Sequence, residues 1–351
     1  MIANKKIAII LPTYNGKDLL PDCLASLERQ DYPPELLTII AVDDNSTDGT
    51  VEYLQKNQPQ IKIISNQKNR GFAAVNNQGY DLARQFHPDY LVLLNQDTIV
   101  DVGWLKSLIG TISQDKNIAI VQPKILLHPE TNLINSFGNS IHFLGFGFCN
   151  YYRHPDNLPA TLPFELPYAS GAACLIDLKA LEKVGLFDDR FFMYHEDVDL
   201  GWRLRLAGYK ILLDPSAVIY HKYNYSKAVY KFYHMDRNRW LVMLQNYRLG
   251  TLLLFAPALI VMELGIILFS IKNGWFKEKI RGWRWILRHW SEIMARHSEI
   301  QSKMRRVGDR EIVRLYVGSI KFQDVDNALL KCLVNPVTEA YFWLAKKVIF
   351  W

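Results

Sequence analysis

The sequence predicts an α/β fold: a mostly parallel sheet with helices on both faces, followed by a helical C-terminal region. Three observations lead there. Short β-branched apolar runs alternate with segments of helical period through the first part of the chain. Polar clusters recur directly after those runs, where an open parallel sheet presents its carboxyl-end loops. Beyond a nearly uninterrupted apolar stretch, Gly250–Ile271, the tail keeps a helical pattern rich in Arg, Lys and Trp. The division is placed at 225/226, with residues 1–225 as the sheet domain and 226–351 as the helical region.

Ile7–Leu11 reads as a buried strand, after which Leu19, Leu20, Cys23, Leu24 and Leu27 share one helical face. Leu37–Val42 is a second strand, and Ser46-Thr47-Asp48 caps a helix carrying Val51 and Leu54. Ile61–Ser65 is a third strand, followed by a helix from Phe72 to Phe86, and Tyr90–Leu94 is a fourth. From Pro123 to Pro167 the pattern degrades into Pro, Gly, Asn and aromatics, as in a long functional loop or small subdomain. Ala172–Asp177 restores order. A helix over Glu196–Ala207 and strands at Tyr209–Leu213 and Ala217–Tyr220 complete the domain.

A chain of 351 residues, 49% hydrophobic and 22% charged, supports a large α/β domain with an appendage and excludes a disordered protein. The net charge of +6 comes with basic residues thickening beside the apolar stretch, which favours a membrane surface over nucleic acid as partner. Cys23, Cys149, Cys174 and Cys332 are far apart without a C-x-x-C pair, so reduced cytosolic thiols are expected rather than a disulfide framework or zinc site. Ile7–Leu11 is too short for a signal peptide and Pro12 stops it, so the N-terminal part is expected in the cytoplasm.

The chemistry gathers after the strands. Pro12-Thr13-Tyr14-Asn15 follows the first, Asp43-Asp44-Asn45-Ser46 the second, Asn69-Arg70-Gly71-Phe72 the third and Asn95-Gln96-Asp97 the fourth. Taken singly, each also reads as a turn or a helix cap. Four on one edge of one sheet point to a nucleotide diphosphate site. A uracil or thymine N3–H needs an acceptor, which Asp43 or Asp44 supplies; backbone near Pro12 and Thr13 meets the ring edge and ribose. Asn76, in the helix after Phe72, is counted with the donor-binding set. Asp97 offers a hard oxygen ligand for the Mg²⁺ or Mn²⁺ that a pyrophosphate requires. With neither G-x-G-x-x-G nor G-x-x-x-x-G-K-[ST], dinucleotide oxidoreductases and P-loop kinases lose their best evidence.

In the second half, His195-Glu196-Asp197-Val198-Asp199 sets three acids at a helix start. Acids there complement the helix dipole; one of them can also deprotonate an incoming hydroxyl. The two roles conflict, because a helix N-terminus lowers a carboxylate pKa and weakens it as a base. His221, after the last strand, is either a packed histidine or a further metal ligand.

Pro12-Thr13-Tyr14-Asn15, Val42-Asp43-Asp44-Asn45-Ser46-Thr47-Asp48-Gly49, Asn69-Arg70-Gly71-Phe72 and Leu94-Asn95-Gln96-Asp97-Thr98 stand in the order found in family 2 glycosyltransferases. With the Asn-x-Asp form and His-Glu-Asp-Val-Asp-Leu, the sequence resembles bacterial rhamnosyltransferases of O-antigen and cell-wall polysaccharide assembly, over residues 5–250. The resemblance implies a GT-A fold and an inverting single displacement from a nucleotide diphosphate-sugar to a glycan or lipid-linked acceptor. It makes Asp97 the last acid of the metal motif, with Asn95 where many members carry Asp. It makes Asp197 the general base beside Glu196, Asp44 the nucleobase-contacting acid with Asp43 its neighbour, and His221 a metal-binding histidine. Gln96, Gly71 and Phe72 fall in the donor-binding motifs.

Gly250–Ile271 is long enough to span a bilayer, yet Glu263 lies within it and basic residues flank both sides. Lys227, Lys231, Arg237, Arg239 and Arg248 precede it; Lys272, Lys277, Lys279, Arg281, Arg284 and Arg288 follow. A re-entrant or interfacial helix pair bent at Pro257 is therefore expected, with Trp275, Trp283, Trp285 and Trp290 as an interfacial belt. That places the protein on the cytoplasmic face of the membrane, tail and sheet domain on one side. The competing readings are a sugar nucleotidyltransferase, which would want a Gly-rich basic loop where Pro12–Gly16 stands, and an inactive membrane-bound sugar-binding protein, which intact Asp97, Glu196 and Asp197 argue against.

Overall fold

The computed structural model describes residues 5–159, 161–223, 229–321, 328 and 330–351. Strand and helix alternate as the sequence pattern requires: β1 (Ile7–Thr13), α1 (Leu20–Glu28), β2 (Leu37–Asp43), α2 (Thr50–Asn57), β3 (Lys62–Ser65), α3 (Phe72–Ala83) and β4 (Tyr90–Leu94). β1 pairs in parallel with β2 and with β4, and β2 with β3. β1 is apolar on both faces because both are covered. Ile7, Ile9 and Leu11 pack with Leu20, Cys23, Leu24 and Leu27 of α1. Ala8 and Ile10 pack with α3 on the other side. Gly79 lets α3 approach, since a Cβ there would lie 2.6 Å from Ile10.

Beyond β4 the sheet is mixed. The remaining elements are β5 (Thr98–Val100), α4 (Trp104–Ile112), β6 (Ile118–Leu127), β7 (Ile134–Ser136), β8 (Asn139–Ile141), β9 (Gly147–Cys149), β10 (Phe164–Glu165), β11 (Ala173–Asp177), α5 (Leu178–Val184), α6 (Glu196–Leu206) and β12 (Lys210–His221). The strand order is β10-β12-β6-β11-β4-β1-β2-β3. β11 is antiparallel to both β4 and β6, so the parallel character is confined to the β4-β1-β2-β3 half and the β6–β12 pair.

Two sequence readings change. The stretch from Pro123 is no plain loop: it begins inside the long strand β6. Pro123 is tolerated there because it sits between the part of β6 paired with β11 and the part paired with β7. The two strands expected at 209–220 are one strand, β12, with an irregularity between Asp214 and Val218. Asp214 pins that bulge to α4, accepting hydrogen bonds from Ser107 Oγ and Thr111 Oγ1 at 2.8 Å each. His221 is thus the last residue of β12, registered opposite Thr98 of β5.

The C-terminal region comprises α7 (Val229–Asn246), α8 (Leu249–Lys272), α9 (Phe276–Arg288), α10 (Trp290–Glu299), α11 (Asp309–Val313) and α12 (Asn335–Val348). The boundary at 225/226 and Lys227 lie outside the described residues. α7 is joined to α6: Asn246 Nδ2 donates to Asp199 Oδ1 at 3.0 Å, and Trp202 meets Tyr247 edge-on. α8 runs unbroken through Pro257, which forfeits only its own N–H bond. The turn of the helix pair falls instead at Asn273-Gly274, where Gly274 adopts φ +75°. The expected tryptophan belt is also revised. Trp275 is buried against Phe232, Trp283 and Trp285 are half-buried, and Trp290 is exposed.

Candidate active site

A cleft of about 210 Å³ opens at the carboxyl ends of β1, β2 and β4. Pro12, Thr13, Tyr14, Asp44, Asn69, Gly71, Phe72, Asn95, Gln96 and Asp97 line it, joined by Val75 and Met193. Four separate sequence clusters thus converge on one wall. A larger hollow of about 890 Å³, around Lys5, Asp89 and Asp177, opens at the opposite ends of the strands and receives none of them.

The loops brace one another through side-chain to backbone bonds. The Gln96 amide pairs with the Tyr14 backbone, donating to its carbonyl at 2.9 Å and accepting from its N–H at 3.0 Å. Gly16 leaves room for this amide, since a Cβ would lie 1.9 Å from Gln96 Oε1. Asp44 accepts from the N–H groups of Arg70 and Gly71 at 2.7 and 2.9 Å, drawing the β3–α3 loop over the cleft. A carboxylate has about four acceptor positions, so Asp44 keeps capacity for a ligand.

Three residues counted with the donor-binding set stand off the cleft wall. Asp43 is turned inward, 1% exposed, and accepts from Thr13 Oγ1 and the Ser46 N–H. Asn15 ties the first loop to the second, its Oδ1 accepting from the Thr47 N–H and its own N–H donating to Ser46 Oγ. Asn76 is fully buried and donates to Phe72 O. Each is consumed by the loop that its neighbours need. Of the two acids that the sequence left in competition, Asp44 is the one on the cleft.

Asp97 meets His221 at the cleft edge. Asp97 Oδ1 lies 3.2 Å from His221 Nε2, and His221 Nδ1 lies 3.0 Å from Asn135 Oδ1. With Nδ1–H donating to Asn135, Nε2 presents a lone pair toward a carboxylate oxygen. Two lone pairs that face each other are satisfied by a shared cation or proton. Among the described residues no group of three His, Cys, Asp or Glu side chains stands together as a metal cluster. A cation held here would take two protein ligands and complete its shell from a diphosphate and water, the usual habit of Mg²⁺ beside phosphates. Asn95 Oδ1, also at the cleft, is a buried acceptor with no partner among the described residues.

The acids of α6 separate into distinct environments. Asp199 is structural: buried, it pairs with Arg203 Nε at 2.7 Å. Asp197 accepts from the Val198 N–H at 2.8 Å and the Gly171 N–H at 3.3 Å. Burial pushes its carboxyl up to about 6, against the pull of those bonds. Burial and the neighbouring Asp197 push Glu196 well above the ordinary carboxyl range, and its Oε2 has no partner among the described residues. At Asp197 desolvation outweighs the helix dipole, since burial shifts acids by up to several pKa units against the dipole's fraction of one. Gly171 joins the acid to the cleft: a Cβ there would lie 3.3 Å from the Phe72 ring and 3.8 Å from Asp197 Cβ. Gly171 and Asn135 are isolated in the sequence, and Val75 and Met193, although beside the Phe72 and His195 motifs, are apolar residues with no site signal of their own.

A mixed α/β sheet with a polar cleft at its carboxyl edge and acids on two sides is the architecture of GT-A glycosyltransferases. The sequence model of glycosyl transferase family 2 matches residues 8–185, and the chain belongs to that family. It is similar to the N-acetylglucosaminyl-diphospho-decaprenol L-rhamnosyltransferase of Mycobacterium tuberculosis, at 24% identity over 87% of this chain and 96% of that one. In structure it resembles the mannosyltransferase PcManGT of Pyrobaculum calidifontis, solved with GDP-Man and Mn²⁺, with a TM-score of 0.52 and 16% identity over 86% of this chain and 87% of that one. It also resembles GalNAc-T7, solved with UDP, GalNAc and Mn²⁺, at a TM-score of 0.53 and 18% identity. That match covers 69% of this chain and 48% of GalNAc-T7, so the chain spans about half of that protein.

Proposed function

We propose that the protein is an inverting glycosyltransferase that moves a sugar from a nucleotide diphosphate-sugar, a dTDP-rhamnose-like or UDP-sugar, to a hydroxyl of a glycan or lipid-linked acceptor. The observation that carries this reading is the position of Asp197, a carboxylate raised toward neutrality beside the wall that Gly171 and Phe72 share with the cleft. Asp44, on the cleft, would accept the N3–H of a pyrimidine, and Pro12 and Thr13, beside it, would meet the ring edge. Asp97 and His221 would hold Mg²⁺ or Mn²⁺, which when bound screens the diphosphate charge. Asp197 takes the proton of the acceptor hydroxyl as that oxygen bonds to the anomeric carbon and the bond to the diphosphate breaks. The named activity of the mycobacterial relative supports rhamnose, and the ligands of the structural neighbours support a nucleotide-sugar with a divalent cation. The test is a donor screen across dTDP-, UDP- and GDP-sugars with Mg²⁺ or Mn²⁺, reading thermal shift and donor hydrolysis. Stabilisation and turnover by none of them overturns the reading, and a product that retains the donor's anomeric configuration overturns inversion.

We further propose that the protein lies on the cytoplasmic face of the membrane. α8 is long and apolar enough to cross a bilayer, but its midpoint is fastened to the body. Glu263 is bound by Arg239 of α7 and by Lys279 of α9, and Lys279 also meets Asp236 at 2.9 Å. A helix crossing alone would carry this cluster into hydrocarbon. Thr251, Phe255 and Leu259 face the protein, whereas Leu253, Ile260, Leu264 and Leu268 face outward. α12 packs beside it, Tyr341 Oη donating to the Leu254 carbonyl, and exposes Val337, Trp343, Leu344 and Val348; past its end Trp351 Nε1 donates to Thr251 Oγ1. Two adjacent helices with outward apolar faces fit an in-plane docking surface. Arg237, Arg239 and Lys279, counted as basic flanks in the sequence, are buried in the protein.

A further inference from the structure

The turn that delivers Asp197 is held by a helix outside the catalytic sheet. Phe192, Tyr194 and His195 have φ of 63, 67 and 67°. The left-handed region is sparsely occupied by non-glycine residues, and three in four positions persist only where the surroundings over-determine them. Fully buried Asn238 of α7 supplies that restraint. Its Nδ2 lies 2.9, 2.8 and 2.7 Å from the carbonyl oxygens of Phe191, Met193 and Tyr194. Its Oδ1 accepts from Arg237 Nε at 2.8 Å, and Arg237 Nη2 donates to the carbonyls of Arg190 and Phe191 at 2.7 and 2.9 Å. One side-chain amide and one guanidinium thus take up the backbone acceptors of a turn that belongs to no strand.

The same turn reaches the donor side. Phe192 O accepts from the Ala73 N–H at 3.2 Å, its ring stands 2.5 Å from where a Cβ on Gly71 would be, and Met193 lines the cleft. Four residues after Met193 the chain places Asp197. Neither Asn238 nor Arg237 lines the cleft; both act through the backbone between them and it.

We propose that Asn238, seconded by Arg237, is a positioning residue for glycosyl transfer: it fixes the left-handed turn 191–195 and so sets where the Asp197 carboxylate stands against the bound donor. The inference rests on the reading of Asp197 as the base. The titratable groups facing Asp197 are Glu196 on its own helix, Tyr168 from the segment before Gly171, and Cys174 of β11. None is on α7. A moved pH profile in an Asn238 variant therefore reports displacement of Asp197, not a lost charge beside it.

The experiment compares wild type with Asn238→Ala and with Arg237→Lys, which keeps the charge but removes the forked grip. Turnover is expected to fall on the order of 10²-fold in Asn238→Ala, the scale of a misplacement of about an ångström. The acid limb should move to lower pH as Asp197 gains water, with turnover falling by far more than UDP or dTDP affinity in Mn²⁺. An activity loss that follows the folded fraction, with the acid limb unmoved, makes Asn238 merely structural and overturns the proposal. So does wild-type turnover in both variants. Should Asn238→Ala not fold, Arg237→Lys carries the same readouts in smaller degree. Amide exchange tests the clamp apart from any activity: faster exchange confined to 192–198 in a variant supports it, and unchanged exchange there overturns it. A wild-type protein that turns over no donor overturns the transferase reading instead.

Discussion

His221 Nε2 stands 3.2 Å from Asp97 Oδ1 across 124 residues of sequence. The contact exists because β5 returns antiparallel along the end of β12, setting His221 opposite Thr98 and so beside Asp97. Neither residue alone is a metal site. Together they put an imidazole and a carboxylate oxygen on one point of the cleft edge, with Asn135 fixing the imidazole from behind. Asp97→Ala is expected to abolish the Mn²⁺-dependent part of nucleotide binding and most turnover. Asn135→Ala, which leaves both ligands in place, should weaken apparent cation affinity by about 10–100-fold. Titrating Mn²⁺ against donor hydrolysis measures both. Full activity of Asp97→Ala in excess chelator would remove the metal role.

Asp197→Asn keeps the shape and removes the proton acceptor. Turnover should fall by about 10²–10⁴, with donor affinity preserved. Collapse of nucleotide binding with an intact chemical step would make Asp197 a binding residue.

The pH dependence has a definite sign. The base must be ionised, and burial holds Asp197 up to about 6, so the rate should fall as pH drops through that value. Stability runs the other way. A carboxyl raised on folding binds its proton more tightly in the native state, so ionisation costs stability as pH rises from the unfolded value through about 6. Asp197→Asn should therefore melt higher than wild type at neutral pH, with the difference closing in acid. A variant that melts lower at neutral pH would show that the carboxylate is well solvated.

Local pattern revealed β1 to β4, β11, α6 and most of β12, and little of the chain between β4 and β11. β1 to β4 and α1 to α3 were legible because each is a short apolar run or a clean helical face with its turn residues beside it. β6 was missed because Pro123 reads as a breaker, and only the change of partner from β11 to β7 makes it tolerable. The site divides the same way. Asp44, Gln96, Asp97 and Asp197 lie in dense polar motifs, where type and spacing suffice. Asp43, Asn15 and Asn76 share those motifs but spend their polar atoms on loops, which only three-dimensional partners reveal. Asn238 was invisible: a lone Asn in a helix has meaning only through the three carbonyls it meets.

The cluster of Asp236, Arg239, Glu263 and Lys279 joins α7, α8 and α9 where little water reaches. Glu263→Ala would leave two buried cations facing one carboxylate. A loss of about 3–5 kcal/mol is expected, as for breaking a buried ion pair from one side. Urea unfolding of the purified protein gives the value. A loss within the range of an exposed pair, below about 1 kcal/mol, would mean that the cluster is hydrated and that α8 is not anchored by it.

Hydropathy alone would run α8 through the bilayer and place α9 to α12 on the far side. The ion cluster argues otherwise, since Glu263 sits mid-helix and its partner Arg239 belongs to α7, which is bonded to α6 of the catalytic domain. On the proposed membrane-surface placement, α8, tied at its centre and apolar outward, lies in the plane with α12 beside it. A lipid-linked acceptor would then present its hydroxyl near the headgroups. A reporter fused after Trp351 should read as cytoplasmic. Ile260→Asp with Leu264→Asp, both on the outward face, should release the protein from anionic vesicles in a flotation assay while donor hydrolysis in solution continues. A reporter on the far side of the membrane would restore a single span. A double variant that still floats with the vesicles would place the attachment on another surface.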